Sequence, residues 1–265
     1  MRNGLAVLSS VSDTDRVAAT RALQRVSNEL QLFLQAHEYQ FDCMMKPERV
    51  FSGQCLNPSR IQGWFGSEKH FPEIAQLVRL AERGVPVRVA SGGDLALALR
   101  YSNHSSADGF VDELTDKIRD DVKFGRAFGF PRDAAASIPG LRVSPLAVIK
   151  SSTKLRVVHD LTFSSGPSTV GVNEDTEFSS APKCELGHVL RDIIWRILYL
   201  RQRFGRGARI VLSKMDVKDA FRQVPVEITR PPVLGYIFGG LVVVDRRLQF
   251  GWRNSPGFWC LLRQR

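Results

Sequence analysis

Three short segments hold the residue types that work on phosphates requires. The first is Lys150-Ser151-Ser152-Thr153-Lys154-Leu155-Arg156-Val157-Val158-His159-Asp160, a cluster of cations closed by a carboxylate. The second is Leu212-Ser213-Lys214-Met215-Asp216-Val217-Lys218-Asp219-Ala220-Phe221, an apolar run ending in a carboxylate, with an aromatic ring five residues later. A carboxylate at a strand end commonly holds Mg2+ when phosphates are the substrate, because this hard cation takes oxygen ligands. The third is Leu248-Gln249-Phe250-Gly251-Trp252-Arg253-Asn254-Ser255-Pro256, where a glycine turn leads into a Ser-Pro helix start. Proline suits the first helical position, which needs no N–H donor. Each segment also has a plain structural reading. A basic hairpin is common, Asp216 suits a turn or cap, Phe221 suits a core, and Arg156 suits a solvated surface.

The elements that must position these residues follow from hydrophobic spacing. Residues 146–150 and 155–161 alternate around Ser151-Ser152-Thr153 and predict a hairpin. Residues 209–217 predict a strand leading to Asp216. Residues 233–238 and 241–250 predict a second hairpin, with Gly239-Gly240 providing the positive φ of its turn. Helices are predicted over 72–83, over 106–125 (Phe110, Leu114, Ile118 and Val122 on one face) and over 184–204, which Gly205-Arg206-Gly207 stops. A further helix is predicted over 13–36, from Ala19, Leu23, Val26, Leu30 and Phe33. Residues 43–72, rich in Pro and Gly, read as loop, and 128–145 as irregular. The fold class is α+β.

Composition sets the class of partner. The chain has 265 residues, 43% of them hydrophobic, which argues against disorder. No window nears 18 consecutive apolar residues, and the N-terminal apolar stretch is too short for a signal peptide. The expectation is an intracellular protein, nuclear or cytoplasmic and not secreted, without a membrane partner. The four cysteines show no CxxC spacing and are expected as reduced thiols. The net charge of +10 is unevenly placed: residues 1–140 hold 17 basic and 17 acidic side chains, and residues 141–265 hold 20 and 10. A basic half beside a neutral one fits a polyanion, most often nucleic acid, equally with a merely basic surface.

In this order and at these separations, the three segments resemble the reverse transcriptases of retrotransposons. The first is similar to the family's fingers hairpin, the second to its motif A (Asp-x-x-x-Ala-Phe/Tyr), and the third to its motif B, with Gln249 where proline is usual. The stretch 125–161 is similar to the family's sequence ahead of that hairpin. The resemblance covers residues 104–265 and implies the fingers and part of the palm of a right-hand polymerase; residues 1–103 form a mainly helical region of unassigned role. It implies RNA-templated DNA synthesis by two-metal nucleotidyl transfer, with template-primer and dNTPs as partners.

On these positions the resemblance makes Asp216 the catalytic carboxylate and, with the carbonyl of Val217, a Mg2+ ligand. It places Ala220 and Phe221 at the incoming nucleotide, where the Phe221 ring would exclude a 2′-OH. Lys150, Lys154 and Arg156 would grip the triphosphate. Phe250 and Gly251 would floor the nucleotide, and Ser255 and Pro256 would lie on the template side. The family's next motif, aromatic-x-Asp-Asp, has no counterpart up to Arg265; Asp219 lies inside motif A and Asp245 in the preceding hairpin. The expectation is therefore a chain truncated before that motif, with weak or absent Mg2+ binding and no activity alone. The 209–217 strand would then carry an unpaired apolar palm edge, a route to self-association. The alternative is a non-catalytic nucleic-acid-binding remnant or interaction protein.

Overall fold

A computed structural model of the chain describes residues 57–263 apart from 66–71, 92, 153, 167–168, 178–181, 183–188 and 214–215, together with Val17 and Arg21. The helix expected over 13–36 lies outside the described residues except for Val17 and Arg21, which are helical.

The described chain opens with α1 (Pro58–Phe65) and α2 (Pro72–Arg83). α1 falls where a loop is expected. Asn57 accounts for it: its Oδ1 accepts the Arg60 N–H at 2.9 Å, and Pro58 takes the first helical position. A short α3 (Leu95–Ala98) follows, capped by Asp94, whose carboxylate accepts the Leu97 N–H. A 3-10 turn over Ser105–Phe110 leads into α4 (Val111–Lys123), which buries Leu114 and Ile118 on the predicted face.

Two small antiparallel sheets follow. β2 (Leu146–Lys150) pairs with β3 (Leu155–His159), with Ile149 opposite Arg156 and Lys150 opposite Leu155. The second sheet has the order β1 (Ala127–Pro131), β5 (Leu241–Asp245), β4 (Gly235–Phe238). The β4–β5 hairpin turns at Gly239-Gly240, with Gly239 at φ +58°. β1 replaces part of the expected irregular segment. Gly129 and Pro131 weaken the strand signal, yet β1 is an edge strand and Pro131 ends it, where a missing N–H costs least. A short helix, α5 (Val172–Asp175), joins this region to α6 (Val189–Phe204), and α7 (Ser255–Arg263) closes the described chain.

The predicted strand over 209–217 does not form among the described residues. Residues 209–213 and 216–217 have no regular structure, and Val211 and Leu212 are 74% and 69% exposed. An apolar run becomes a strand only when neighbouring backbone satisfies its N–H and C=O groups, and no described strand pairs with it. The expected palm edge is thus absent as a strand edge among the described residues, while Val211 and Leu212 remain exposed as apolar side chains. α6 covers the described part of the helix expected over 184–204, but no residue of it is buried.

Three apolar clusters hold the described chain together. α4 packs with β2, Tyr236, Phe238 and Val243 in one. In another, Leu80, Val85 and Val87 pack with Leu161, Val224, Leu248, Trp252 and Phe258. Residues on both sides of position 103 therefore share a core. Val85 bridges Val226 in parallel, with Val85 N–H donating to the Pro225 carbonyl at 2.8 Å. Cys260, expected as a thiol, is disulfide-bonded. Among the described residues no helix is long and apolar enough to cross a membrane.

Candidate functional site

The first and third motifs meet at His159 and Gly251. His159, at the end of β3, donates its backbone N–H to the Phe250 carbonyl at 3.0 Å. Gly251 sits at φ +115°, and a Cβ there would lie 1.8 Å from the His159 carbonyl oxygen. Only glycine allows this approach. From the other side, Asn173 Nδ2 donates to the Gly251 carbonyl at 2.7 Å, and Asn173 Oδ1 accepts the Arg253 N–H at 2.8 Å. Trp252 is buried, stacked on Phe258 at 5.8 Å, with its indole N–H directed to Thr176 Oγ1 at 3.2 Å. The loop is clamped at every residue from Phe250 to Arg253.

The second motif joins at the same place. Phe221, half-buried in the 3-10 turn Ala220–Gln223, lies 4.8 Å from Phe250, ring centroid to ring centroid. Phe250 is 45% exposed, so the pair forms an apolar floor open to solvent on one side. The turn begins at Asp219 in the left-handed region (φ +52°), an uncommon conformation for a residue with a side chain. What fixes the turn is Arg222, 4% exposed. Its Nη2 lies 2.6 Å from Asp121 Oδ2 and its Nη1 2.7 Å from Asp245 Oδ1. Asp121 is also reached by Lys117 at 3.5 Å and Arg126 at 3.8 Å.

Burial sets the protonation of the supporting groups. His159 is 1% exposed, and burial holds its pKa down at about 4, so the ring is neutral. Its Nε2 lies 2.8 Å from the Gly235 carbonyl, which fixes that nitrogen as the protonated one. Burial pushes the Asp245 carboxyl up, against the opposing pull of the Arg222 guanidinium.

The cations of the β2–β3 hairpin stand apart from carboxylates. Lys150, Lys154 and Arg156 are exposed and have no ion-pair partner among the described residues; Lys150 lies 5.4 Å over the Phe110 ring. Asp160, the hairpin's closing acid, pairs with His104 Nε2 at 2.9 Å. Asp216 and Val217 are exposed in irregular chain, and Asp216 has no hydrogen bond or ion pair among the described residues. Ser255 is fully buried, its hydroxyl donating to the Gln249 carbonyl at 2.8 Å, so it supports the loop from within. Pro256 is exposed.

The donor set is incomplete for Mg2+, which needs near-octahedral oxygen ligation. Asp216 and the Val217 carbonyl would supply two ligands, and no group of three or more His, Cys, Asp or Glu side chains able to hold a metal forms among the described residues. Mg2+ held by one or two carboxylates takes its other ligands from water and substrate phosphate, so Asp216 and the Val217 carbonyl would suit it together with a phosphate.

Sequence spacing passed over Arg222, its two acids, and Asn173. A charged residue inside the buried run Leu241–Asp245 was the available signal for Asp245. Comparison of the chain with protein-family models and with curated proteins finds no match.

Proposed function

We propose that the chain is a nucleotide- and nucleic-acid-binding piece of a retrotransposon reverse transcriptase, comprising fingers and partial palm. The observation that supports this reading best is the convergence of its three motifs. Phe221 and Phe250 form one floor, Gly251 is locked against the end of the hairpin, and the hairpin carries three exposed cations. An apolar floor at one end of a hairpin whose strands and turn carry unpaired cations is suited to a base or sugar joined to phosphates. A second reading, a remnant that binds nucleic acid without catalysis, is favoured by the incomplete donor set around Asp216. Both readings require the nucleotide site; they differ in whether any primer is extended.

The test is equilibrium binding of a deoxynucleoside and a ribonucleoside triphosphate to the full chain. The deoxy form should bind more tightly, and Phe221→Ala should narrow the difference while leaving the fold intact by circular dichroism. Equal affinity for the two triphosphates in the unaltered chain would contradict the assignment of Phe221. Primer extension on a primed RNA template should be no greater than that of Asp216→Asn; extension above this control favours a competent polymerase over a remnant.

A further inference from the structure

A second concave surface lies outside all three motifs, between α2, the segment after it, and the loop before β4. It is a cleft of about 350 Å3 whose walls carry Arg79, Arg83, Arg88 and Arg230 against a single acid, Glu227. Arg79 and Arg83 stand four residues apart on α2 and so share a face. The cleft is built on paired backbone. Gly84 (φ +84°) ends α2 so close to the Val226 backbone that a Cβ would lie 2.6 Å from its carbonyl carbon. Glu227 N–H donates to the Val85 carbonyl at 2.9 Å. Leu80 and Phe258, both nearly inaccessible, form an apolar base beneath the charges.

The charge in this cleft is not neutralised internally. Glu227 already receives Thr229 Oγ1 at 2.8 Å and Arg230 Nε at 3.4 Å. Arg88 reaches Glu177 only at 4.0 Å, with both side chains more than half exposed. Arg79 and Arg83 have no ion-pair partner among the described residues. Arg79 and Arg83, unpaired over an apolar base and flanked by two further guanidinium groups, suit an external anion, and their planar forks fit phosphate in two-point fashion. With about 5–6 Å between their Cβ atoms, Arg79 and Arg83 can take neighbouring anions, which favours a repeating one.

We propose that this cleft binds successive backbone phosphates of a single nucleic-acid strand. The choice of a strand as occupant rests on the proposed function; the choice of a phosphate anion rests on the cleft alone. The site draws Arg79, Arg83 and Arg88 from the half of the chain that is neutral overall, so charge summed along the sequence conceals it.

The experiment is fluorescence anisotropy of a labelled oligothymidylate with the full chain across a salt series. Two phosphate contacts on a single strand carry a slope of about 1.4 in log K against log salt. Arg79→Ala with Arg83→Ala should therefore weaken binding about 25-fold at 0.1 M salt and flatten the slope by about that amount. Arg79→Lys with Arg83→Lys keeps the charge and should keep the slope. Arg119→Ala with Lys123→Ala, on α4, removes equal charge elsewhere and should weaken binding by less than about threefold. Binding of deoxynucleoside triphosphate to the unaltered chain, measured alongside, reads failure of the nucleotide site separately from failure of the cleft. Binding of the double alanine variant within twofold of the unaltered chain would overturn the proposal. So would oligoglutamate competing as well as oligothymidylate of equal charge, which would assign the cleft to an acidic peptide.

Discussion

Replacing Arg222 by methionine tests how the candidate site is held in place. The guanidinium is nearly inaccessible and ion-paired at 2.6 Å to Asp121 and 2.7 Å to Asp245. Removing one partner of a buried ion pair costs about 3–5 kcal/mol, because the remaining charge stays buried without compensation. The two acids are not equivalent. Asp121 keeps Lys117 and Arg126 within 4 Å, whereas Arg222 is the ion-pair partner of Asp245. Most of the loss should therefore come from Asp245. Urea unfolding at pH 7, followed by far-UV circular dichroism, should show Arg222→Met less stable by about 3–5 kcal/mol. Adding Asp245→Asn should restore roughly half of that, since a neutral amide is far cheaper to bury than an unpaired carboxylate. The sign with pH also follows. Asp245 in the folded chain binds its proton above the unfolded value, so protonation favours the folded state. The deficit of Arg222→Met should shrink as pH falls. A deficit below about 1 kcal/mol, or a double variant less stable than Arg222→Met alone, would show that Arg222 is not what holds the turn.

Other outcomes follow from the same geometry. His159 titrates at about 4 when folded against 6.5 unfolded, so the unfolded chain binds the extra proton between these values. The contribution of His159 should be fully present above pH 6.5 and fall by about 3 kcal/mol as pH drops through 4, at ~1.4 kcal/mol per pH unit, while Asp245 shifts stability the opposite way over much of the same range. Chemical denaturation at several pH values isolates it: the stability of the unaltered chain minus that of His159→Gln should decline by that amount from pH 6.5 to 4. Gly251→Ala forces a Cβ onto the His159 carbonyl at a positive φ and should cost more than about 2 kcal/mol in the same unfolding assay. An unaffected midpoint would mean the loop is not clamped there. Trp195 is 65% exposed on α6 and Trp252 is 2% exposed, so iodide should quench the fluorescence lost in Trp195→Phe but not that lost in Trp252→Phe.

Local pattern is legible in the sequence as far as local forces decide structure. The β2–β3 hairpin, the β4–β5 turn at paired glycines and the face of α4 all depend on near neighbours, and each is present. Where a distant partner decides, pattern fails. Ile210, Val211 and Leu212 have the composition of a strand, but composition cannot supply a neighbour to pair with. β1 shows the converse: Gly129 and Pro131 weaken the strand signal, and β5 recruits the segment regardless. α1 is hidden by proline and glycine, although Asn57-Pro58 is itself a helix start. At the site, Phe221, Phe250 and Gly251 are readable as types in order. The buried Arg222 is not, because its acids come from α4 and β5, remote in the chain.

Whether the three motifs form one nucleotide site can be read by photocrosslinking with an azido-substituted deoxynucleoside triphosphate, followed by peptide mapping. Label should fall on the segments holding Phe221 and Phe250, and on the 150–156 hairpin when the reactive group is on the phosphate. Unlabelled deoxynucleotide should compete for it, and Phe250→Ala should lose it. Label confined to other segments, or label that unlabelled deoxynucleotide does not displace, would mean that the motifs do not make a common site.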